Sequence, residues 1–176
     1  VHNIENYLAA IAAVDGMVSD EIIRDFARTF GGVEHRIELI RTLDGVRWYN
    51  DSIASSPSRT IAGLRSFPEK VVLIAGGKDK GISYDSLGPV VNDHVKLLIL
   101  CGATAGVIRR AVEQAPNYAG LEIFDVADYE EAAALARSRT QPGDVVILSP
   151  ASTSFDRFAN FMERGRVFKD VVNRLQ

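Results

Sequence analysis

Two stretches of the chain carry residue types that can hold a negatively charged ligand. The first is Gly76-Gly77-Lys78-Asp79-Lys80-Gly81, where paired glycines let backbone approach a ligand closely and Lys80 supplies a point charge. The second runs from Ser149 through Ser152, Thr153 and Ser154 to Phe155, a loop of hydroxyls that enters an apolar helical pattern. The opening amides of a helix lack intrahelical partners and sit at the positive end of its dipole, so a carboxylate or phosphate placed there is stabilised. Each signal has a plainer reading: Ser154 as a helix cap, Lys80 as a solvated loop lysine. No G-x-x-x-x-G-K-[ST] loop occurs in the chain, which argues against a phosphate cradle of that kind. His2, His35 and His94 are too dispersed for a zinc site, and the single cysteine, Cys101, ends an apolar run as a small core residue. No metal site is predicted from these residues.

The elements that must position these loops follow from periodicity. Val71 to Ala75, Val95 to Cys101 and Val145 to Leu148 are short apolar runs suited to strands of a parallel sheet, and Leu121 to Val126 reads as another short strand. Between them lie helices predicted around Tyr84 to Asn92, after a cap at Thr104, and from Glu130 to Arg139 behind an Asp128/Glu131 capping box. A long final helix is predicted to carry Phe155, Phe158, Phe161, Met162, Phe168, Val171, Val172 and Leu175 on one apolar face, with Gly165 inside it for close packing. Upstream, His35 to Thr42 and Val46 to Asn50 form a hairpin about Asp44-Gly45, and Pro57 opens a helix bearing Ile61, Leu64 and Phe67. Helices from Asn3 to Val14 and from Asp20 to Phe30, the second capped by Ser19, precede a break at Gly31-Gly32. The pattern predicts an α/β, Rossmann-like three-layer domain with a mostly parallel sheet, one antiparallel hairpin strand and a short helical segment before it. Right-handed crossovers put the loops after Ala75 and Leu148 on one sheet edge, so Lys80 and Ser154 share a cleft with Ser55.

The length, 176 residues, suffices for one full core, and 20 basic against 23 acidic residues give a charge of −3. That balance offers no general attraction to nucleic acid or to an anionic membrane. No apolar run is long enough to span a bilayer and no leader precedes a cleavage site, which predicts a cytoplasmic protein. The chain starts with Val1 inside what reads as an element, so it is read as a segment of a longer protein.

Taken in order, His2-Asn3-Ile4-Glu5-Asn6, His35-Arg36-Ile37-Glu38, Asn50-Asp51-Ser52, Gly76-Gly77-Lys78-Asp79-Lys80 and Leu148-Ser149-Pro150-Ala151 with Ser154-Phe155-Asp156 resemble the motifs of the Mur ligases of peptidoglycan synthesis. Asn50-Asp51-Ser52 and the serine-rich final loop resemble the branch that adds D-glutamate. The resemblance implies that residues 1–32 end a central ATP-binding domain and that 33–176 are the C-terminal domain. It implies ATP and Mg2+ as cofactors, held mainly by the preceding central domain, with UDP-N-acetylmuramoyl-L-alanine and D-glutamate as substrates. The implied reaction runs through an acyl phosphate, which the amine of D-glutamate attacks, and the chain alone would be inactive. On the same grounds Asn3, Asn6, Arg36 and Asp51 are implied to bind nucleotide, while Ser55, Lys80, Ser154, the Phe155 amide and Phe161 are implied to bind D-glutamate. Taken alone, Arg36 reads as a surface partner of Glu34 or Glu38, and Asp51 as a cap or turn residue. Where the family commonly has lysine, this chain has Ile53, and serine stands at 55 in place of threonine. The alternatives are another Mur-type or folylpolyglutamate ligase domain, or a non-catalytic α/β module that binds a carboxylate.

Overall fold

A computed structural model describes residues 2–176, with side chains from Ile4 onward. The chain forms two compact units, residues 1–32 and 33–176. The first holds α1 (His2–Ala13) and α2 (Asp20–Thr29), the latter capped by the Ser19 hydroxyl, which accepts from the Ile22 amide. Phe26 and Phe30 stack at 5.0 Å between centroids, and Tyr7 meets Phe30 edge-on.

The second unit is organised by β3 (Val71–Ala75) and β6 (Val145–Leu148), every residue of which is buried. Around them β1 (Glu38–Leu43), β2 (Val46–Asn50), β4 (Val95–Cys101) and β5 (Glu122–Val126) complete a six-stranded sheet of order β1-β2-β6-β3-β4-β5. All neighbours pair parallel except β1 and β2, which form the expected hairpin. Asp44 and Gly45 take φ of 48° and 79°, the left-handed pair that a two-residue turn matched to strand twist requires.

Side-chain alternation along the strands divides the core into two layers. Val71, Leu73, Leu98, Leu100 and Ile147 face α3 (Pro57–Leu64), α4 (Leu87–His94) and α5 (Ala105–Glu113) through Leu64, Leu87, Val91, Ile108 and Val112. Val72, Ile74, Leu97, Ile99 and Val146 face α6 (Tyr129–Ser138) and α7 (Phe161–Arg174) through Ala132, Ala136, Phe168 and Val172. Runs apolar on both faces are buried on both faces, as the sequence predicts.

Several boundaries differ from expectation. Strand β1 begins at Glu38, because His35 and Ile37 adopt φ of 65° and 46° and cannot extend a strand. Helix α3 ends at Leu64, short of Phe67, and α4 starts only at Leu87, with Tyr84 in the turn before it. The largest correction concerns the last helix. It starts at Phe161, where the Asn160 side chain accepts from the Glu163 amide at 2.9 Å and Glu163 accepts from the Ala159 amide at 2.7 Å. Ser154 instead closes a separate turn, its carbonyl taking the amides of Arg157 and Phe158. Phe155 and Met162, predicted on the apolar face, are 62% and 41% exposed.

Candidate functional site

Strands β6 and β3 are neighbours whose chains leave in opposite directions, α7 covering one face of the sheet and α4 the other. Such a switch point, at the carboxyl ends of the strands, is where doubly wound sheets take ligands. Here its base is zipped shut. The Lys78 amide donates to the Thr153 carbonyl at 2.9 Å, the Thr153 amide donates to the Lys78 carbonyl at 3.1 Å, and the Thr153 hydroxyl adds a bond to that Lys78 carbonyl at 3.0 Å. Gly77 permits this approach: at φ of 152° a side chain would overlap the Thr153 carbonyl.

Beneath the rim lies a layer of buried polar groups. Arg164, 1% exposed, donates from Nε to the Ser52 hydroxyl at 2.9 Å and from its two terminal nitrogens to the carbonyls of Ser152 (2.9 Å) and Ser52 (2.7 Å). It thereby ties the loop after β2 to the loop after β6. Burial lowers its proton affinity, and it has no carboxylate within ion-pair distance among the described residues. Ser52 in turn donates to the Phe161 carbonyl at 2.8 Å, fixing the start of α7.

Asp51, 4% exposed at the end of β2, accepts from the Ile37 amide at 3.2 Å and the Ser149 hydroxyl at 2.8 Å. Burial pushes its carboxyl up to about 6, although those hydrogen bonds and the charges of Arg36 and Arg59 pull the other way.

Next to it, Asn50 orders a histidine. Its Oδ1 accepts the Ser52 amide at 3.1 Å, so its Nδ2 donates to Glu38 (3.1 Å) and to His35 Nδ1 (2.9 Å). The His35 proton therefore sits on Nε2, which is buried without a hydrogen-bond partner, with Glu34 at 3.6 Å. Burial also keeps His35 neutral by lowering its pKa. Glu34, His35 and Glu38 offer candidate metal-ligand atoms within 4.8 Å of one another, yet Nε2 has no lone pair to give, and Lys169 already bridges both carboxylates at 3.1 and 2.5 Å. The donor set does not fit a divalent ion.

The residues singled out in the sequence fall as follows. Lys80 is exposed and forms no hydrogen bond or ion pair among the described residues. Ser154 is 3% exposed in the loop that Lys78 grips, and the amides of Ser154, Phe155 and Asp156 donate no hydrogen bond among the described residues. Ser55 is half-buried in the loop after β2, and Phe161 is half-buried with its ring edge-on to His35 at 5.9 Å. Arg36 is exposed just before β1, whose Glu38 pairs with Asn50, so it lies at the same sheet edge. All of these, with Asp51, belong to one rim of the second unit. Asn6 is exposed on α1 of the first unit, and the Asn3 side chain lies outside the described residues.

Arg164 was not anticipated. A signal exists: it stands between Phe161 and Phe168 in the register of the buried face, where a charge must be satisfied or excluded. Thr104 occupies the cap position of α5 but caps nothing; its hydroxyl accepts the Gly77 amide at 3.0 Å.

A doubly wound α/β domain with Lys80 and Ser154 on the rim above the buried Arg164 guanidinium is a domain of the Rossmann-like class. Residues 35–152 match the family model described as Mur ligase, glutamate ligase domain, and the chain belongs to that family. It is 55% identical to a UDP-N-acetylmuramoylalanine–D-glutamate ligase of Acetivibrio thermocellus and 54% identical to one of Ruminiclostridium cellulolyticum, each match covering 100% of this chain. The chain spans 39% of the length of those relatives. Among solved structures, a bifunctional folylpolyglutamate synthase/dihydrofolate synthase of Yersinia pestis superposes with a TM-score of 0.66 at 18% identity over 93% of this chain and 37% of its own. The MurF ligase of Thermotoga maritima in complex with ADP gives 0.59 at 21% identity over 95% and 37%. Among the described residues no helix is long and apolar enough to cross a membrane.

Proposed function

We propose that this chain is the amino-acid-binding, C-terminal part of an ATP-dependent ligase that joins D-glutamate to UDP-N-acetylmuramoyl-L-alanine in peptidoglycan synthesis. The observation that carries the reading is the rim itself: a Lys80 ammonium without a partner among the described residues, on a loop zipped at Lys78 to Thr153, the residue before the amides of 154–156, which donate no hydrogen bond among the described residues. A dicarboxylate needs such donors on two sides. The names of relatives at 54–55% identity support the choice of acceptor. Arg164 beneath the rim adds positive charge, with no carboxylate at ion-pair distance among the described residues.

In this reading Lys80, Ser154, Ser55, the Phe155 amide and Phe161 hold D-glutamate with its amine directed away from the rim. Arg36 and Asp51, with Asn3 and Asn6 of residues 1–32, contact the nucleotide, and residues 1–32 close the central domain of the longer protein. ATP transfers its γ-phosphate to the carboxylate of UDP-N-acetylmuramoyl-L-alanine, the amine attacks the acyl phosphate, and phosphate leaves. Magnesium is held by the preceding domain with the nucleotide. The contribution of this domain is orientation, which removes entropy from the attack, and completion of the site as the domains approach. Ile53 supplies no charge to the acceptor.

In the full-length protein, Lys80→Ala and Ser154→Ala should each raise KM for D-glutamate by about tenfold or more while leaving the unfolding transition in place. Unchanged ligation kinetics in both variants would take these residues out of the site. The chain alone should turn over no ATP.

A further inference from the structure

The segment 79–83 that carries Lys80 is exposed throughout and has one internal bond, from the Gly81 amide to Asp79 at 2.9 Å. Both of its feet stand on consecutive residues of the loop after β6. At the entry, Lys78 is bonded to Thr153, and the preceding Gly77 is gripped from the other side, its amide donating to the Thr104 hydroxyl at 3.0 Å and its carbonyl accepting the Thr104 amide at 2.9 Å. At the exit, the Tyr84 hydroxyl meets the Ser152 hydroxyl at 2.9 Å. Ser152 and Thr104 are joined at 2.8 Å, so the two feet share one buried cluster. Tyr84, Thr104 and Ser152 are 2%, 1% and 1% exposed. Thr104 also leaves α5 without a side-chain cap, a local loss that its own helix does not recover. A residue that forgoes a local bond for a long-range one is doing so for the loop, and such breaches of local preference concentrate where geometry matters for function.

We propose that Tyr84 and Thr104 are positioning residues: through Ser152 they fix the 79–83 loop, and so the ammonium of Lys80, at a set distance from Ser154. Neither touches the rim from which substrate would be bound. The inference rests on the ligase reading for its kinetic consequence but not for its structural one.

The test uses the full-length protein with Tyr84→Phe and Thr104→Val, which keep shape and remove the hydroxyl. Amide hydrogen exchange over 78–83 should accelerate in both variants, KM for D-glutamate should rise about five- to tenfold, and KM for ATP should stay unaltered. Unaltered exchange overturns the proposal, as does faster exchange with an unaltered KM for D-glutamate. An equal rise in KM for both substrates also overturns it, since that marks a general loss of structure. If the parent protein does not use D-glutamate, the ligase reading fails, and the exchange comparison still decides whether these hydroxyls hold the loop.

Discussion

The two ends of the sheet rim treat charge in opposite ways. At the β2–β6 end, Arg164 and Asp51 are buried and satisfied by partners more than ten residues away in sequence, among them Ser52, Ser152, Ile37 and Ser149. At the β4–β5 end, a groove bounded by Gly102, Gly106, Arg109, Asp125 and Arg157 keeps its charges in water, with Arg109 bridging to Asp125 at 2.5 Å and to Glu113 at 3.6 Å. A buried charge loses hydration and is held in place only by its fixed partners, so it positions loops; an exposed one keeps hydration and positions little. The residues of the second unit assigned to substrate or nucleotide lie at the β2, β3 and β6 side of the rim, Asp51 and Ser154 buried and Lys80, Arg36 and Phe155 exposed above the buried layer.

The sharpest way to break that contrast is Arg164→Met. The substitution leaves the carbonyls of Ser52 and Ser152 and the Ser52 hydroxyl without their donors, and should destabilise the fold by about 3–5 kcal/mol in denaturant unfolding. A loss below about 1 kcal/mol would mean that the loops hold each other without it. Asp51→Asn works in the reverse direction. With a folded pKa near 6 against an ordinary 3.8, the native state takes up a proton before the unfolded state does as pH falls. Its burial therefore costs stability at neutral pH, and the cost disappears as pH drops through 6 towards 4. The variant should be more stable than the parent by about 2–3 kcal/mol at pH 7.5, with the gap closing by pH 4. Because His35, held neutral by burial, loses stability below its unfolded pKa in both proteins, the difference between the two curves isolates Asp51.

Much of this arrangement was legible beforehand where a signal is local. The apolar runs of β3 and β6, the Asp44-Gly45 turn, and Asp128, which accepts the Glu131 amide at 2.9 Å, each declare themselves within a few residues. Non-local features did not. That β6 inserts between β2 and β3 is a matter of pairing across nearly a hundred residues, and no periodicity encodes it. The start of α7 was missed because Ser154 and Asn160 are equally good caps in sequence, and only the Asn160–Glu163 exchange shows which one the helix uses. Thr104 misled, and Arg164 gave no reading, for a related reason: their polar groups serve another loop, not their own helix. Residues 55, 80 and 154 could be placed on one edge from topology, but their assignment to D-glutamate came from the family resemblance, because a serine or a lysine in a loop has too many common uses.

The smallest expected effect tests the other half of the contrast. Arg109 is 29% exposed and Asp125 57%, so both remain largely hydrated and gain little from pairing. Ordering two long side chains offsets most of the Coulomb attraction, and the remainder is screened at physiological salt. Arg109→Ala should therefore change stability by no more than about 0.5 kcal/mol, and should shrink further when unfolding is repeated in high salt. In the full-length protein it should leave KM for D-glutamate where it was, since the residue lies across β4 from the loop that carries Lys80. A loss above about 2 kcal/mol, or a change in acceptor KM, would show that the β4–β5 end is built as firmly as the β2–β6 end. The rim would then be a single frame, and not one rigid side facing a solvated one.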